Sequence, residues 1–292
     1  MYTLNLVNPE KSNIKYKITG FSDSQNNIVL ENDKWNQPGN PTICIISRMS
    51  WADLQIIICA VQALRNSGIT TIKLYVPYFL GARSDRQFEF GSTHYLKDVI
   101  CPIINSLNLN SVTVVDPHSD VLEACINNFH KENNFSLVKF ALTDIDNRND
   151  ARERITLVSP DAGAFKKIFD VAQHFEITNI ITATKVRDLK TGYIKHTEVN
   201  VNDSDPEMKY VIIDDICDGG RTFIELAKAI KVQKPSAKIY LVITHGIFSA
   251  GLFDLSAYCE RVYCTNSVKD IQADESSDYT VSKEFLKQLN II

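Results

Sequence analysis

The sequence predicts an α/β protein of two domains, and three observations carry that expectation. From Thr42 to His245, apolar runs rich in β-branched residues alternate with stretches of helical period, the βαβ pattern of parallel sheets flanked by helices. A chain of 292 residues exceeds one typical core and suits two α/β domains of ordinary size. Between the halves, Thr143-Asp144-Ile145-Asp146-Asn147-Arg148-Asn149-Asp150 is polar and turn-forming. With almost nothing to bury, it marks a boundary between an N-terminal domain 1–142 and a C-terminal domain 143–292.

In the first half, Thr42–Ser47 reads as a strand, Ala52–Asn66 as a helix and Thr71–Tyr78 as a strand. His94–Leu107 then reads as a helix and Ser111–Asp116 as a strand. The second half opens with strand Thr156–Ser159. Next comes a helix in which Phe165, Ile168, Phe169 and Ala172 fall at i, i+3, i+4, i+7, expected to lay one apolar stripe on the sheet. Strands at Asn179–Ala183, Tyr210–Asp214 and Lys238–Thr244 follow. The polar stretch Lys185–Lys209 joins two buried strands through roughly 25 residues, longer than compact connections run, and reads as a lid loop.

Composition narrows the classes. Hydrophobic residues make up 44% and charged residues 23%, as in a soluble globular protein, and no apolar run approaches the roughly 18 residues of a membrane span. The first residues lack a basic segment and a long apolar segment, so a cytoplasmic location without a secretory signal is expected. A net charge of −4 and a pI near 5.9 argue against broad nucleic-acid binding and leave room for a local basic pocket that takes the phosphates of a small substrate. The seven cysteines are scattered, without a CxxC pair, and read as reduced core residues.

The most informative segment starts with the buried run Tyr210-Val211-Ile212-Ile213 and stops at Asp214-Asp215. It then passes through Ile216-Cys217-Asp218-Gly219-Gly220-Arg221-Thr222 into the helix Phe223–Ile230. At such a helix start, free backbone N–H groups and the positive dipole end cradle a phosphate, and glycines permit close backbone approach. Two adjacent carboxylates beside that anion site can hold ribose hydroxyls, directly or through a metal. The same residues also suit an ordinary strand-to-helix turn with a solvated acidic pair, so other motifs must decide.

They do so by resemblance. Val211–Thr222 resembles the phosphoribosyl-diphosphate loop of the type I phosphoribosyltransferase fold, and across nearly the whole chain the sequence resembles the ribose-phosphate pyrophosphokinases. Gly20-Phe21-Ser22-Asp23-Ser24-Gln25 is similar to that family's loop that reaches a neighbouring subunit, with Phe21 stacking on adenine and Asp23 and Gln25 as polar contacts. Val76–Arg86, ending Gly81-Ala82-Arg83-Ser84-Asp85-Arg86, is similar to its ATP-phosphate segment. Asp116-Pro117-His118-Ser119 and Val158-Ser159-Pro160-Asp161-Ala162-Gly163 resemble its two metal-bearing segments, and Thr244–Ser249 and Cys264–Ser267 recur late in the chain as they do there.

The resemblance implies two tandem type I phosphoribosyltransferase-like domains, each a largely parallel sheet flanked by helices, and a homo-oligomer, a dimer or a hexamer built from dimers. It implies transfer of the β,γ-diphosphate of ATP to the C1 hydroxyl of ribose 5-phosphate, with Mg2+. ATP falls to Phe21, Asp23, Gln25, Arg83, Asp85, Arg86 and His118. The ribose phosphate falls to Asp214, Asp215, Asp218, Gly219, Gly220, Arg221 and Thr222. The metal falls to His118 and Asp161, and Lys185 and Arg187 become the cations that stabilise the transferring diphosphate. Each has a plainer reading: Asp161 as an N-cap, Lys185 and Arg187 as solvated charges, His118 as a structural residue. His245 stays open between packing and pocket.

Departures from the family sit at the nucleotide contacts, where Ser84 and Gln25 replace its usual Gln and Glu, and where the acceptor binds. The pattern after the acidic pair is usually Asp-Thr-Gly-Gly-Thr, whereas here Asp218-Gly219-Gly220-Arg221-Thr222 puts a guanidinium at a glycine position. Arg221 can pair with an additional phosphate, which raises a second acceptor, an esterified ribose 5-phosphate such as ADP-ribose. Two further classes share the loop: a phosphoribosyltransferase, which does not need Arg83, Arg86 and His118 in an additional domain, and an inactive paralogue, against which the retained Lys185, Arg187, His118 and Asp161 speak.

Overall fold

The computed structural model describes residues 1–31, 40–146, 151–187, 194–201, 205, 207–271 and 285–292. The chain divides into two compact units, Met1–Asn133 with Ile292, and Asn134–Ile291. Among the described residues no helix is long and apolar enough to cross a membrane.

In the first unit, β1 (Tyr2–Asn5), β4 (Ile43–Ile46), β5 (Ile72–Tyr75), β6 (Ser111–Val115) and β7 (Phe129–Glu132) form a parallel sheet in the order β1-β4-β5-β6-β7. An antiparallel hairpin, β2 (Tyr16–Gly20) and β3 (Asn26–Leu30), lies between β1 and β4 in sequence. Helix α1 (Trp51–Asn66) opens on a capping box, Ser50 Oγ accepting from the Asp53 amide and the Asp53 carboxylate from the Ser50 amide, so two orphan donors are satisfied at once. Its Leu54, Ile57, Val61 and Leu64 are buried with Ile43, Ile45, Leu74 and Val112 of the strands. The helix expected over His94–Leu107 is a π turn, Leu96–Ile100, running into α2 (Cys101–Ser106). Pro102 lacks the N–H an α-helix would use there, and the wider turn accommodates the loss. Helix α3 (Val121–Cys125) precedes β7.

The second unit opens with α4 (Phe135–Ile145) and carries β8 (Ile155–Ser159), α5 (Phe165–Phe175) and β9 (Asn179–Thr182). A hairpin of β10 (Thr184–Arg187) and β11 (Ile194–Glu198) follows, then β12 (Lys209–Cys217), α6 (Arg221–Gln233) and β13 (Lys238–Gly246). Helix α7 (Phe253–Ser256), β14 (Arg261–Thr265) and β15 (Leu286–Leu289) close the unit. Its six strands are all parallel, in the order β15-β14-β13-β12-β8-β9. The order reverses between β8 and β12, and the crevice outside the carboxyl ends at such a switch point is where ligands of open α/β sheets bind. Strand alternation gives β12 two faces: Val211 and Ile213 pack with residues of α4 and α5, Tyr210 and Ile212 with residues of α6.

Three further expectations change. The division falls between Asn133 and Asn134, not at 142/143, because α4 buries Leu137, Val138 and Ala141 in the second core. Even the stretch read as a linker is tied in: Asp144 accepts from Arg261, Tyr263 and Lys287, and Asp146 pairs with Lys209; residues 147–150 lie outside the described ones. The stripe of α5 is Ile168, Val171 and Ala172, while Phe165 and Phe169 are exposed and face each other at 6.4 Å. At 100° per residue the two rings lie roughly 60 to 100° round the helix from Ile168. Lys185–Lys209 is in part the β10–β11 hairpin; 188–193, 202–204 and 206 lie outside the described residues. All seven cysteines are free, four of them buried.

Candidate active site

At the carboxyl end of β12, Asp214 belongs to the α6 side and Asp215 to the α5 side by alternation. The Asp215 amide donates to Asp214 Oδ1 at 3.0 Å. Burial pushes the Asp214 carboxyl well above the usual carboxylate range, and the charge and hydrogen bond of Asp215 push it further. Lys167, from the first turn of α5, opposes that shift and stands 3.7 Å from Asp215 Oδ2.

The loop that follows is clasped from β13. The amides of Ile247 and Phe248 donate to the Cys217 carbonyl, and Ser249 gives its amide to the Asp218 carbonyl and its hydroxyl to Asp218 Oδ1 at 2.6 Å. Gly220, at φ 79°, is the N-cap of α6, and a Cβ there would also meet Leu255 at 3.3 Å, so the turn into the helix requires glycine. Gly219 has no such need, since a Cβ would find ordinary contacts with Ser249 and Ala250 near 3.8 Å. Arg221 is exposed at the first helical position and Thr222 half-buried beside it, where α6 leaves its first N–H groups for an anion. Asp161 follows β8, and its Oδ1 accepts from the Ala164 amide at 3.1 Å in the turn before α5; the N-cap of that helix is Ala164, so Asp161 is a turn acceptor and not the N-cap. Lys185 and Arg187 lie on β10, opposite Thr197 and Ile194; their side chains are outside the described residues. His245 is buried and hydrogen-bonds Ser267 Oγ through Nδ1 at 2.8 Å, which gives it a packing role.

In the first unit the expected nucleotide residues occupy two places. The carboxyl ends of neighbouring strands β5 and β6 lead to Arg83, Asp85 and Arg86 and to His118. Gly81 turns the former segment at φ 79°, where a Cβ would strike the Tyr95 ring at 2.8 Å. Arg83 and Arg86 are exposed, Arg86 over the Phe88 ring at 5.5 Å. Asp116, buried and followed by proline, takes φ 42°, a left-handed geometry that residues before proline avoid; it delivers His118, which is exposed. Phe21, Asp23 and Gln25 are exposed at the tip of the β2–β3 hairpin. There Asp23 Oδ1 accepts from the Gln25 amide, and Asn26 anchors the hairpin to Gln55 of α1.

A family model described as phosphoribosyl transferase domain matches residues 127–279, more than half of the chain. The chain belongs to the phosphoribosyl transferase domain family. Among its relatives are ribose-phosphate pyrophosphokinases. That of Marinomonas sp. (strain MWYL1) is 28% identical over 238 residues, covering 78% of this chain and 70% of that protein. That of Mycoplasmopsis pulmonis is 27% identical over 239 residues, covering 80% and 67%. That of Thermoplasma volcanium is 25% identical over 246 residues, covering 82% and 79%. The family resemblance drawn from the motifs is thus borne out. The crystal structure of phosphoribosylpyrophosphate synthetase from Mycobacterium smegmatis superposes with a TM-score of 0.73 over 97% of this chain and 88% of that one, at 15% identity, which bears out the fold.

Within this phosphoribosyl transferase domain, two residues escaped sequence reasoning. Lys167 reads as one of two surface lysines, Lys166-Lys167, and helical period alone does not tell which reaches the acid pair. Ser249 lay in a motif that the family resemblance had picked out, without a role until its hydroxyl met Asp218.

Proposed function

We propose that this chain is an ATP-dependent diphosphotransferase that moves the β,γ-diphosphate of ATP to the C1 hydroxyl of ribose 5-phosphate, releasing AMP. The observation that carries the reading is the end of β12, where the Asp214–Asp215 pair adjoins the Gly220 start of α6 at a sheet switch point. Carboxylates accept from ribose hydroxyls, and the Asp218–Thr222 turn offers N–H groups to the 5-phosphate. In this reading Arg83 and Arg86 take the ATP phosphates with bidentate forks, and Phe21, Asp23 and Gln25 hold adenine from a neighbouring copy in a homo-oligomer. Lys185 and Arg187 absorb charge on the diphosphate during in-line transfer.

In this reading a magnesium ion arrives on the ATP phosphates. The family resemblance implies His118 and Asp161 as its protein donors, one nitrogen and one carboxylate, few enough for an ion that keeps its other ligands from phosphate and water. The ion would neutralise the diphosphate oxygens. Incubation with ATP, Mg2+ and ribose 5-phosphate should release AMP, and Lys185→Ala should keep the fold and nucleotide binding while slowing release by on the order of a hundredfold or more. Unchanged turnover in that variant removes Lys185 from catalysis.

A second acceptor is favoured by one feature, the bare Gly219 beside exposed Arg221 at the mouth of the phosphate turn. Space at Gly219 and a cation at Arg221 suit a 5-phosphate that carries a further phosphate ester, as in ADP-ribose, giving its 1-diphosphate. Comparing AMP release with the two acceptors separates them, and Arg221→Gly should shift preference toward ribose 5-phosphate.

A further inference from the structure

Lys167 has no place in the roles above. It reaches from the first turn of α5 to the end of β12, where its Nζ, shielded from solvent, lies 3.7 Å from Oδ2 of Asp215, itself 5% exposed. A buried ammonium is costly unless it meets an anion, so the placement is specific. We infer that Lys167 is a positioning residue of the acceptor site: by holding Asp215 as an anion, it orients the acidic pair to accept hydrogen bonds from the ribose hydroxyls of the acceptor. The inference rests on the acceptor reading given above.

Several groups bear on the pair. Cys217 and Asp218 follow on its own strand and loop. Asp161, in the turn after β8, accepts through Oδ1 from the Ala164 amide. From β13, His245 is turned into its bond with Ser267. Lys167 is the cation of this set. Two adjacent carboxylates repel, and without a cation the charged forms cost more and a proton is held more tightly, which turns an acceptor into a donor. With Lys167 against Asp215, one carboxylate keeps its charge, and the Asp215 amide in turn fixes Asp214 through Oδ1. The effect on ligand is therefore indirect and depends on pH: removing the ammonium makes ionisation harder, so the defect is largest in mild acid and shrinks as pH rises.

The test is binding of ribose 5-phosphate and of ADP-ribose by calorimetry, between about pH 6 and about pH 8, to wild type, Lys167→Met and Lys167→Arg, with thermal melts of each. Lys167→Met should lose about tenfold or more in affinity at the acid end, with the gap narrowing at the alkaline end. Lys167→Arg should recover most of it. Unchanged affinity, a loss equal at every pH, or no recovery with arginine assigns Lys167 to packing and overturns the inference. If Lys167→Met lacks a cooperative melt, Lys167→Gln is measured by the same criteria. A wild-type protein that binds neither compound overturns the acceptor reading, and the inference with it.

Discussion

Gly246 ends β13 against the ring of Phe248, where an added Cβ would lie 2.1 Å from Cε2. Phe248 is buried and takes φ 48°, an uncommon conformation for a bulky residue. Its amide, with those of Ile247 and Ser249, clasps the turn after the acid pair. Gly246→Ala should therefore cost about 1–3 kcal/mol in denaturant unfolding, as overpacking does, and weaken ribose 5-phosphate binding besides; stability equal to wild type would mean that the ring swings aside freely. Phe21 is the opposite case, 62% exposed at a hairpin tip. Exposed substitutions change stability by roughly 0.5 kcal/mol or less, so Phe21→Ala should melt like wild type while the KM for ATP rises. An unaltered KM would count against a shared adenine site.

Asp144 ties one element to two others. Burial alone would raise its carboxyl, but hydrogen bonds from Lys287 of β15, Tyr263 and Arg261 of β14 outweigh burial and hold it below the usual carboxylate range. A carboxyl lowered by folding contributes stability above its unfolded value of about 3.9 and loses that contribution as pH falls through the folded value. Asp144→Asn should lower the melting temperature at neutral pH, with the gap to wild type closing below about pH 3.9; a gap that persists in acid would assign the effect to geometry instead of charge. Asp144 also explains why sequence reading mistook this stretch for a linker: its partners lie more than a hundred residues away, and no local pattern reports them. What local pattern does report came through well. The buried strands β4, β5, β6, β12 and β13 and the helices α1 and α6 were legible because each carries a long apolar run or period. Strand β1 has four residues and β2–β3 a mostly exposed face, too short or too polar for periodicity. The α5 stripe failed because Phe165 and Phe169 satisfy the period on a flank that leaves them 44% and 52% exposed. At the site, the β12 loop was legible from residue types in order, whereas Lys167 and Ser249 required the fold to bring α5 and the β13 loop to it.

At the scale of the whole chain, each unit has its own apolar core, one gathered around β4, β5 and α1, the other around β12, β13 and their helices. Where the second unit starts is then a question of energy. Starting at Thr143 removes Leu137, Val138 and Ala141, all 1% exposed or less, and the stacking of Phe135 on His174 at 4.1 Å. Full burial of a Leu or Val side chain contributes about 1.5–3 kcal/mol, so the loss is on the order of 5 kcal/mol, comparable with the about 5–15 kcal/mol that holds a typical domain folded. A fragment of residues 134–291 should therefore unfold cooperatively on heating and give a dispersed amide spectrum. A fragment of residues 143–291 should show a broad transition and collapsed dispersion, because Val211, Ile213 and Tyr263 lose the helix that covers them. Equal cooperativity in the two fragments would return the boundary to 142/143 and reduce α4 to an appendage of the second core.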